Sequence, residues 1–493
     1  MTRREFFGLT AALGAAGLGA NDDGGAVTPQ GPVKLKLGVI SDIHIVDADS
    51  TEPFKEVLRE FDAWGADGVM VCGDLADYGV LPQLEEVGKA WFDVFPDGKG
   101  FDGRPVANLM HYGDHDTTGS TYRNAKRCVE MFPDEEAMKL VSLGRMDRAG
   151  RKAAWENVFK EEWSPFIHRQ VKGYDFILAN FTREYKDINP TGDNNPGLAE
   201  FMETVSLDPS KPFFFSQHRI YKGTACGDYV WGQDDGTTGA FLAAKYPNAF
   251  AFCGHGHKSA VNEANIWQGG FTAIEVPSLR YSTTLGGREN GFCSSDRPAT
   301  RPSYTMPEMH VGEGADLTRQ GLLVSVYENC IVVKRREFKA NVALGPDWVI
   351  PLPLPGSRPF APENRVATLP RPQFASGAAI AVTSVTKKDR VGDTVEMFEL
   401  RFPSATAVEP RANDYEVRVE VRKADVVHPV VGRRFYPQNY IYGIRDDLDE
   451  VVCRMRRDEV PAGKPVRFTV FPVDAFGRFG RPIRTAFRED WIS

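Results

Sequence analysis

The sequence predicts a layered α/β region over residues 34–350 and a small all-β sandwich over 373–493. Three observations carry this prediction. Short apolar runs alternate with stretches whose apolar residues recur every three or four positions, as strands and helices do when they take turns along a chain. Beyond residue 372 those helical stripes stop and a two-residue alternation replaces them. Between the two lies 351–372, dense in proline and expected to be a stiff linker. At 493 residues the chain has room for two or three domains, each able to enclose a core.

The first twenty residues differ from the rest. Thr2-Arg3-Arg4-Glu5-Phe6-Phe7 precedes a Gly- and Ala-rich apolar stretch ending in Leu18-Gly19-Ala20. A charged start, a modest apolar stretch and small residues make a secretory signal. The paired arginines before Phe resemble a twin-arginine export signal. Residues 1–20 are therefore expected to engage the twin-arginine export machinery and to send the protein to the bacterial periplasm or outside the cell. The stretch is too short and too weakly apolar to span a bilayer, and no later segment has the length or apolarity for it. Residues 21–33, rich in Gly, Asp and Pro, read as a flexible lead-in.

Leu35 to Ser41 reads as the first strand and ends in Asp42-Ile43-His44. Phe54, Val57, Leu58, Phe61 and Trp64 form a helical stripe. Val69-Met70-Val71-Cys72 has the continuous apolarity of a strand buried on both faces. It stops at Gly73-Asp74, with Asp77 three residues on. Ligands of open α/β sheets gather beyond the carboxyl ends of such strands, which puts Asp74 where other loops can bring groups to meet it. Leu84, Val87, Trp91, Val94 and Phe95 mark a second helix, and Val106 to Tyr112 a strand ending in Gly113-Asp114-His115-Asp116. Residues 120–170 are expected to be mostly helical, with Trp155, Val158 and Phe159 on one face. A strand at Tyr174 to Phe181 follows, then a helix marked by Leu198, Phe201, Met202 and Val205. Phe213 to Phe215 leads to Ser216-Gln217-His218, and Ala249 to Cys253 leads to Gly254-His255-Gly256-His257. Further strands are expected at Phe271 to Val276, Gly321 to Tyr327 and Ile331 to Phe338. The aperiodic stretch from Arg280 to Gly321 is long enough to be either functional or disordered. In the last region Tyr415, Val417, Val419 and Val421 alternate with Glu416, Arg418 and Glu420, a half-buried strand. Val473-Asp474-Ala475-Phe476-Gly477, with Gly480 and Pro482, resembles the last hairpin of fibronectin type III-like modules.

Composition narrows the function classes. A net charge of −8, with 26% charged residues of mixed sign, gives no electrostatic basis for nucleic-acid or anionic-membrane binding. The seven cysteines show no paired zinc-ribbon spacing, and their odd number leaves at least one thiol unpaired within the chain. The histidines are more telling. His44, His115, His218, His255 and His257 all end or follow expected strands, each with Asp, Gly or another His beside it. Imidazole and carboxylate together suit Zn, Mn, Fe or Ni better than Ca or Mg alone. Asp42 and His44, two apart at a strand end, are expected to project the same way.

Together Asp42-Ile43-His44, Gly73-Asp74, Gly113-Asp114-His115-Asp116, His218 and Gly254-His255-Gly256-His257 resemble the calcineurin-like metallophosphoesterases, in that family's order across roughly residues 35–340. The resemblance implies a four-layer αββα sandwich and two metal ions (Mn, Fe or Zn) about 3.5–4 Å apart. Asp42, His44 and His257 would hold the first ion, Asp114, His218 and His255 the second, and Asp74 would bridge them. A hydroxide shared by the ions would attack the phosphorus of a phosphate ester. His115 would stabilise the transition state or protonate the leaving group, and Asp77 would orient His115. Arg219, Tyr221 and Trp231, in the Gly-rich stretch after His218, are candidates to line the substrate pocket.

Two departures from the family pattern matter. The family normally has Asn where Asp114 stands. An extra unit charge about 5 Å from phosphorus contributes about 3 kcal/mol at an effective dielectric of about 20. Its sign opposes an anionic substrate, so the expectation is a preference for singly charged phosphodiesters over dianionic monoesters, or for a more highly charged ion such as Fe³⁺. Second, Tyr78 stands where protein Ser/Thr phosphatases carry a phosphate-binding Arg. Asp77 stands where purple acid phosphatases carry a tyrosine ligand, and the first block of those enzymes lacks a counterpart of His44. Neither subfamily fits. A rival of another class is a non-catalytic binding protein whose sandwich domain contacts a polysaccharide or a protein partner. The presence of His115 beside a full ligand set favours the enzyme.

Overall fold

A computed structural model of the chain describes residues 27–118, 134–182, 195–225, 232–282, 318–388, 393–405, 411–437, 439–442, 449–489 and 491. The expected export signal (1–20), Trp231 and most of the Arg280–Gly321 stretch lie outside these residues.

The first region contains β1 (Leu35–Ile40), α1 (Glu52–Trp64), β2 (Gly68–Cys72), α2 (Leu81–Val94), β3 (Ala107–His111), α3 (Asp114–Thr118), α4 (Glu135–Val141) and α5 (Arg148–Phe159). It continues with β4 (Phe166–Val171), β5 (Tyr174–Ala179), α6 (Leu198–Glu203), β6 (Phe213–Ser216), α7 (Thr237–Lys245), β7 (Ala249–Cys253), β8 (Ile266–Gln268) and β9 (Thr272–Glu275). It closes with β10 (Gln320–Val326), β11 (Cys330–Glu337), β12 (Val342–Ala343), β13 (Trp348–Pro351) and α8 (Pro362–Thr368). Two mixed sheets result. One runs β12-β11-β10-β1-β2-β3, with β13 also on β11, and the other runs β4-β5-β6-β7-β9-β8. The pairs β1–β2 and β2–β3 are parallel, as are β5–β6, β6–β7 and β7–β9.

Strand alternation explains the layering. Phe214 of β6 faces the first sheet and joins one core with Phe176, Phe250 and Phe252, the β1 and β2 side chains, and the stripes of α1, α2 and α5. Its neighbours Phe213 and Phe215 face the other way, against Leu198 and Met202 of α6 and Leu242 of α7. Helices, sheet, sheet and helices therefore stack in four layers. Each fully buried large apolar side chain contributes about 1.5–3 kcal/mol to holding them together. The helix ends follow from local sequence. Glu52-Pro53 opens α1 with Pro in its first turn, where the missing N–H is no loss, and Gly65 closes it at φ +83°. The sheets meet at one end, where Ser41 after β1 pairs in parallel with Ser278 after β9, and Leu279 N donates to Ser41 O at 2.9 Å. Among the described residues no helix is long and apolar enough to cross a membrane.

Several elements depart from expectation. Residues 166–171 form β4, hairpinned onto β5, where helix was expected, and α7, β8, β12 and β13 were not anticipated. The 351–372 segment is no free spacer. Pro351 completes β13, and α8 buries Arg365, which bonds to Glu263 and lies over Phe360 and Phe476 at 5.1 and 5.4 Å. Proline density signals a break in regular structure but carries no information about docking.

The last region holds two antiparallel sheets, β14 (Ala381–Lys388)-β15 (Thr394–Pro403)-β18 (Glu450–Arg456) and β17 (Val426–Phe435)-β16 (Asp414–Lys423)-β19 (Val466–Val473)-β20 (Ile483–Arg484). Phe398, Leu400 and Phe402 from one sheet pack against Val417, Val419, Phe468 and Val470 from the other.

Candidate metal centre

The candidate residues sit in the loops that leave β1, β2, β6 and β7 and, for Asp114 and His115, in the first turn of α3 after β3. Asp42, His44, Asp74, His255 and His257 all adopt left-handed φ, from +43° to +69°. Asp and His tolerate this region better than most residues, and strain of this kind collects at functional sites. Asp42 and His44 therefore project together through a turn past Ile40, not through the extended pleat the sequence suggested. The glycines between them leave room. A Cβ on Gly254 would stand 2.7 Å from Asp42 Oδ2 and 2.9 Å from the Cys72 carbonyl. Backbone bonds sew the loops to one another: Asp42 N to Gly73 O, His44 N to Asp74 O and Gly254 N to His218 O, at 3.1, 3.0 and 2.8 Å.

Seven side chains converge in two buried groups that share one member. Asp42, His44, Asp74 and His257 form the first, and Asp74, Asp114, His218 and His255 the second, with the ligand atoms of each group within 4.8 Å of one another. In the first, His257 Nε2 is 2.9 Å from Asp42 Oδ1, and His44 Nε2 is 3.7 Å from Asp74 Oδ2. In the second, His218 Nε2 is 3.1 Å from Asp74 Oδ1 and 3.2 Å from Asp114 Oδ1, and His255 Nδ1 is 3.3 Å from Asp114 Oδ1. Asp74 thus turns one oxygen to each group. The membership of the two groups equals that of the ligand sets the resemblance implies.

The hydrogen bonds around the groups show what they are built to hold. His218 Nδ1 lies 2.8 Å from the Cys72 carbonyl and His257 Nδ1 3.2 Å from the Tyr281 carbonyl. A carbonyl oxygen can only accept, so in their neutral forms both rings carry the proton on Nδ1 and turn the Nε2 lone pair to the carboxylates. His44 Nδ1 lies 3.0 Å from Asp77 Oδ1 as an ion-pair contact. Ring nitrogens also face each other, His44 Nε2 and His257 Nε2 at 3.3 Å and His218 Nε2 and His255 Nδ1 at 3.2 Å. Asp42 Oδ1 and Asp74 Oδ2 are buried without a hydrogen bond. A buried set of acceptors pointed at acceptors is unfavourable unless cations lie among them. The residues present fit a pair of metal ions.

Proton affinities report the same field. Burial alone would depress His218, but Asp74 and Asp114 carry it well above the ordinary histidine value. Burial would raise Asp42 and Asp114, yet the imidazoles, His257 and His255 foremost, hold both well below the carboxylate range. Burial brings His257 down to about 4.

His115 stands beside the first group, its ring edge-on to His44 at 4.6 Å and its Nδ1 donating to the Asp77 carbonyl at 2.8 Å. The Asp77 carboxylate is nearer to His44 than to His115, at 3.0 against 3.7 Å, so it braces both rings and not His115 alone. Arg219 lies at the edge of the second group, 3.5 Å from Asp114 Oδ2 and over the Phe181 ring at 5.3 Å. Tyr221 is fully buried between Phe215 and Phe271, and its hydroxyl donates to the Phe252 carbonyl at 3.0 Å.

Two contributors escaped the sequence reading. Asp116 is buried and accepts from Leu75 N, Ala76 N and Gly113 N at 3.1, 2.7 and 2.7 Å, locking the Asp74 loop to the Asp114 loop. Burial and the Asp74 charge push it up to about 7. Its signal was its place in the Gly113–Asp116 block. Tyr281 lies over His257 at 4.3 Å and supplies the carbonyl that sets that ring's tautomer, with no sequence signal beyond following a strand.

No protein-family model and no curated protein matches the chain. Solved structures do. A dimetal phosphatase from Danio rerio matches at 10% identity and TM-score 0.34, over 65% of this chain and 99% of that one. GAP50, the anchor in the inner membrane complex of Plasmodium, matches at 12% and 0.34, over 65% and 89%. Purple acid phosphatase PPD1 from yellow lupin (Lupinus luteus) seeds matches at 15% and 0.36, over 66% of this chain and 55% of that one. At such identities and scores these likenesses bear on neither activity nor substrate. The chain's own sheets and cores define a four-layer α/β fold. Within it lie two adjacent buried His/Asp groups of the kind that hold a dinuclear metal centre.

Proposed function

We propose that the chain is an exported, metal-dependent hydrolase of phosphate esters. The observation that carries this reading is the shared Asp74. One carboxylate serves two imidazole-carboxylate groups, and in each of them one ring, His257 or His218, is held by a backbone carbonyl at Nδ1 so that Nε2 faces inward. Asp42, His44 and His257 would hold one ion, Asp114, His218 and His255 the other, with Asp74 common to both. Bound there, two Mn, Fe or Zn ions supply the Lewis acidity that neutralises phosphoryl oxygens and makes water a nucleophile near neutral pH.

The chain's own residues do the rest. The Cys72 and Tyr281 carbonyls set the tautomers of His218 and His257, and Asp77 stands in ion-pair contact with His44. Asp116 holds two of the loops in register. His115, with Nδ1 committed to the Asp77 carbonyl, is placed to pass a proton from Nε2 to the departing oxygen. Burial would lower the His115 imidazolium, but Asp74, Asp77 and Asp114 raise it above the ordinary value, which favours the acid form. Export through the twin-arginine route, with periplasmic or extracellular residence, belongs to the same proposal and is supported by Arg3-Arg4 and the small-residue stretch that follows. A fibronectin type III-like character for 373–493 is supported by the three- and four-stranded antiparallel sheets.

The test is purified protein loaded with Mn²⁺, Zn²⁺ or Fe and assayed on p-nitrophenyl phosphate and bis-p-nitrophenyl phosphate. The proposal expects turnover that disappears in Asp74→Asn and falls by about 10²–10⁴-fold in His115→Ala. Metal uptake with no turnover on any ester would instead support the non-catalytic binding protein.

A further inference from the structure

We propose that Arg219 is a phosphate clamp that also balances the charge of Asp114, and that the site therefore takes dianionic phosphomonoesters. This rests on the phosphoesterase reading above and names its substrate class. The expected diester preference assumed that Asp114 brings an uncompensated charge where related proteins have a neutral amide. In the structure an Arg219 nitrogen lies 3.5 Å from Asp114 Oδ2, so a guanidinium offsets that charge locally. This removes the charge argument for preferring a singly charged diester.

The guanidinium is also poised for an anion. Its side chain is 11% exposed, and the Phe181 ring, 5.3 Å away, holds its plane. The contact to Asp114 is at the outer limit of a hydrogen bond, and among the described residues the buried Arg219 Nε has no hydrogen-bond partner. A buried charged donor without a partner is costly, and a planar fork of donors matches phosphoryl oxygens in pairs. Charge then discriminates. A dianionic monoester carries a second negative charge and a third non-bridging oxygen, so it would gain more from a guanidinium at this edge than a singly charged diester does.

The experiment uses the Mn²⁺-loaded full chain and compares wild type, Arg219→Met and Arg219→Lys, each with and without Asp114→Asn. It reads metal content, Kd for inorganic phosphate, and kcat/KM on p-nitrophenyl phosphate and bis-p-nitrophenyl phosphate. Arg219→Met is expected to keep both ions and weaken phosphate by about tenfold or more, as loss of a hydrogen bond to a charged group implies. It should cost the monoester more than the diester, and Arg219→Lys, which keeps the charge without the fork, should recover part of the phosphate affinity. The phosphate effect should persist in the Asp114→Asn background. A phosphate Kd unchanged within about twofold, equal losses on both esters, or an effect that vanishes with Asp114→Asn would overturn the clamp. Wild-type protein that takes up no metal and cleaves neither ester would sink the phosphoesterase reading itself.

Discussion

Nδ1 of His44 lies 3.0 Å from Oδ1 of Asp77, so this carboxylate supports a member of the metal group directly. Burial would raise the Asp77 carboxyl, but the His44 imidazole outweighs it and brings it to about 2, so Asp77 is anionic at any working pH. Asp77→Asn should therefore lower metal affinity by about 10–100-fold, as outer partners of ligating histidines do. Competition with a coloured chelator measures this. Unchanged affinity with a reduced rate would confine Asp77 to His115.

His115 belongs to neither of the two four-residue groups that share Asp74. His115→Ala should keep the full metal content and lose about 10²–10⁴-fold in kcat, the range for a positioned proton donor. The loss should be larger for phenyl phosphate than for p-nitrophenyl phosphate, because the poorer leaving group needs the proton more. Equal losses on the two esters would remove His115 from proton transfer.

Gly254 lies where the loops after β1, β2 and β7 meet, with Asp42 Oδ2 2.7 Å from the position its Cβ would take. Gly254→Ala should cost about 1–3 kcal/mol in a urea melt, the range for overpacking a tight site. It should also weaken metal binding, because the added carbon meets Ser41 Oγ first and then Asp42 Oδ2, a carboxylate of the first group. Full metal affinity in this variant would show that the loops relax freely.

Glu263 joins the α/β region to the segment leading into the sandwich. It pairs with Arg335 at 2.7 Å and with Arg365, and it accepts from Trp348 Nε1 at 3.1 Å. Burial would raise its carboxyl, but Arg335 and Arg365 together hold it below the ordinary value. A carboxyl depressed by folding stabilises fully above its unfolded value, about 4.3 for Glu, and loses that contribution as pH falls through the folded value. Glu263→Gln should cost about 3–5 kcal/mol at pH 7, because two buried guanidiniums lose their counter-charge. The gap between variant and wild type should close as urea melts are taken below about pH 4. A gap independent of pH would mean that the cluster acts through packing alone.

Much of the centre was legible because its chemistry and its backbone conformation ask for the same residues. Turns past strand ends need left-handed φ, which Gly, Asp and His supply, and Asp and His are also the ligands, so Gly73-Asp74 and Gly254–His257 stood out. The strands that carry them were readable from uninterrupted apolarity, as in Val69–Cys72 and Phe213–Phe215. What escaped depends on direction and docking. Tyr221 follows a ligand by three residues in a loop-like context, yet turns inward to spend its hydroxyl on Phe252. α7, Thr-Thr-Gly-Ala-Phe-Leu-Ala-Ala-Lys, has small residues where an apolar stripe would announce a helix. The Asp114–Arg219 contact joins residues 105 apart, and no local pattern could show that the extra carboxylate had a counter-charge.

The central claim is that Asp74 serves two cations at once, and anomalous scattering from crystals grown with Mn²⁺ tests it most directly. Two peaks about 3.5–4 Å apart, one on each side of Asp74, are the predicted result. A single peak, or peaks away from Asp74, would contradict it.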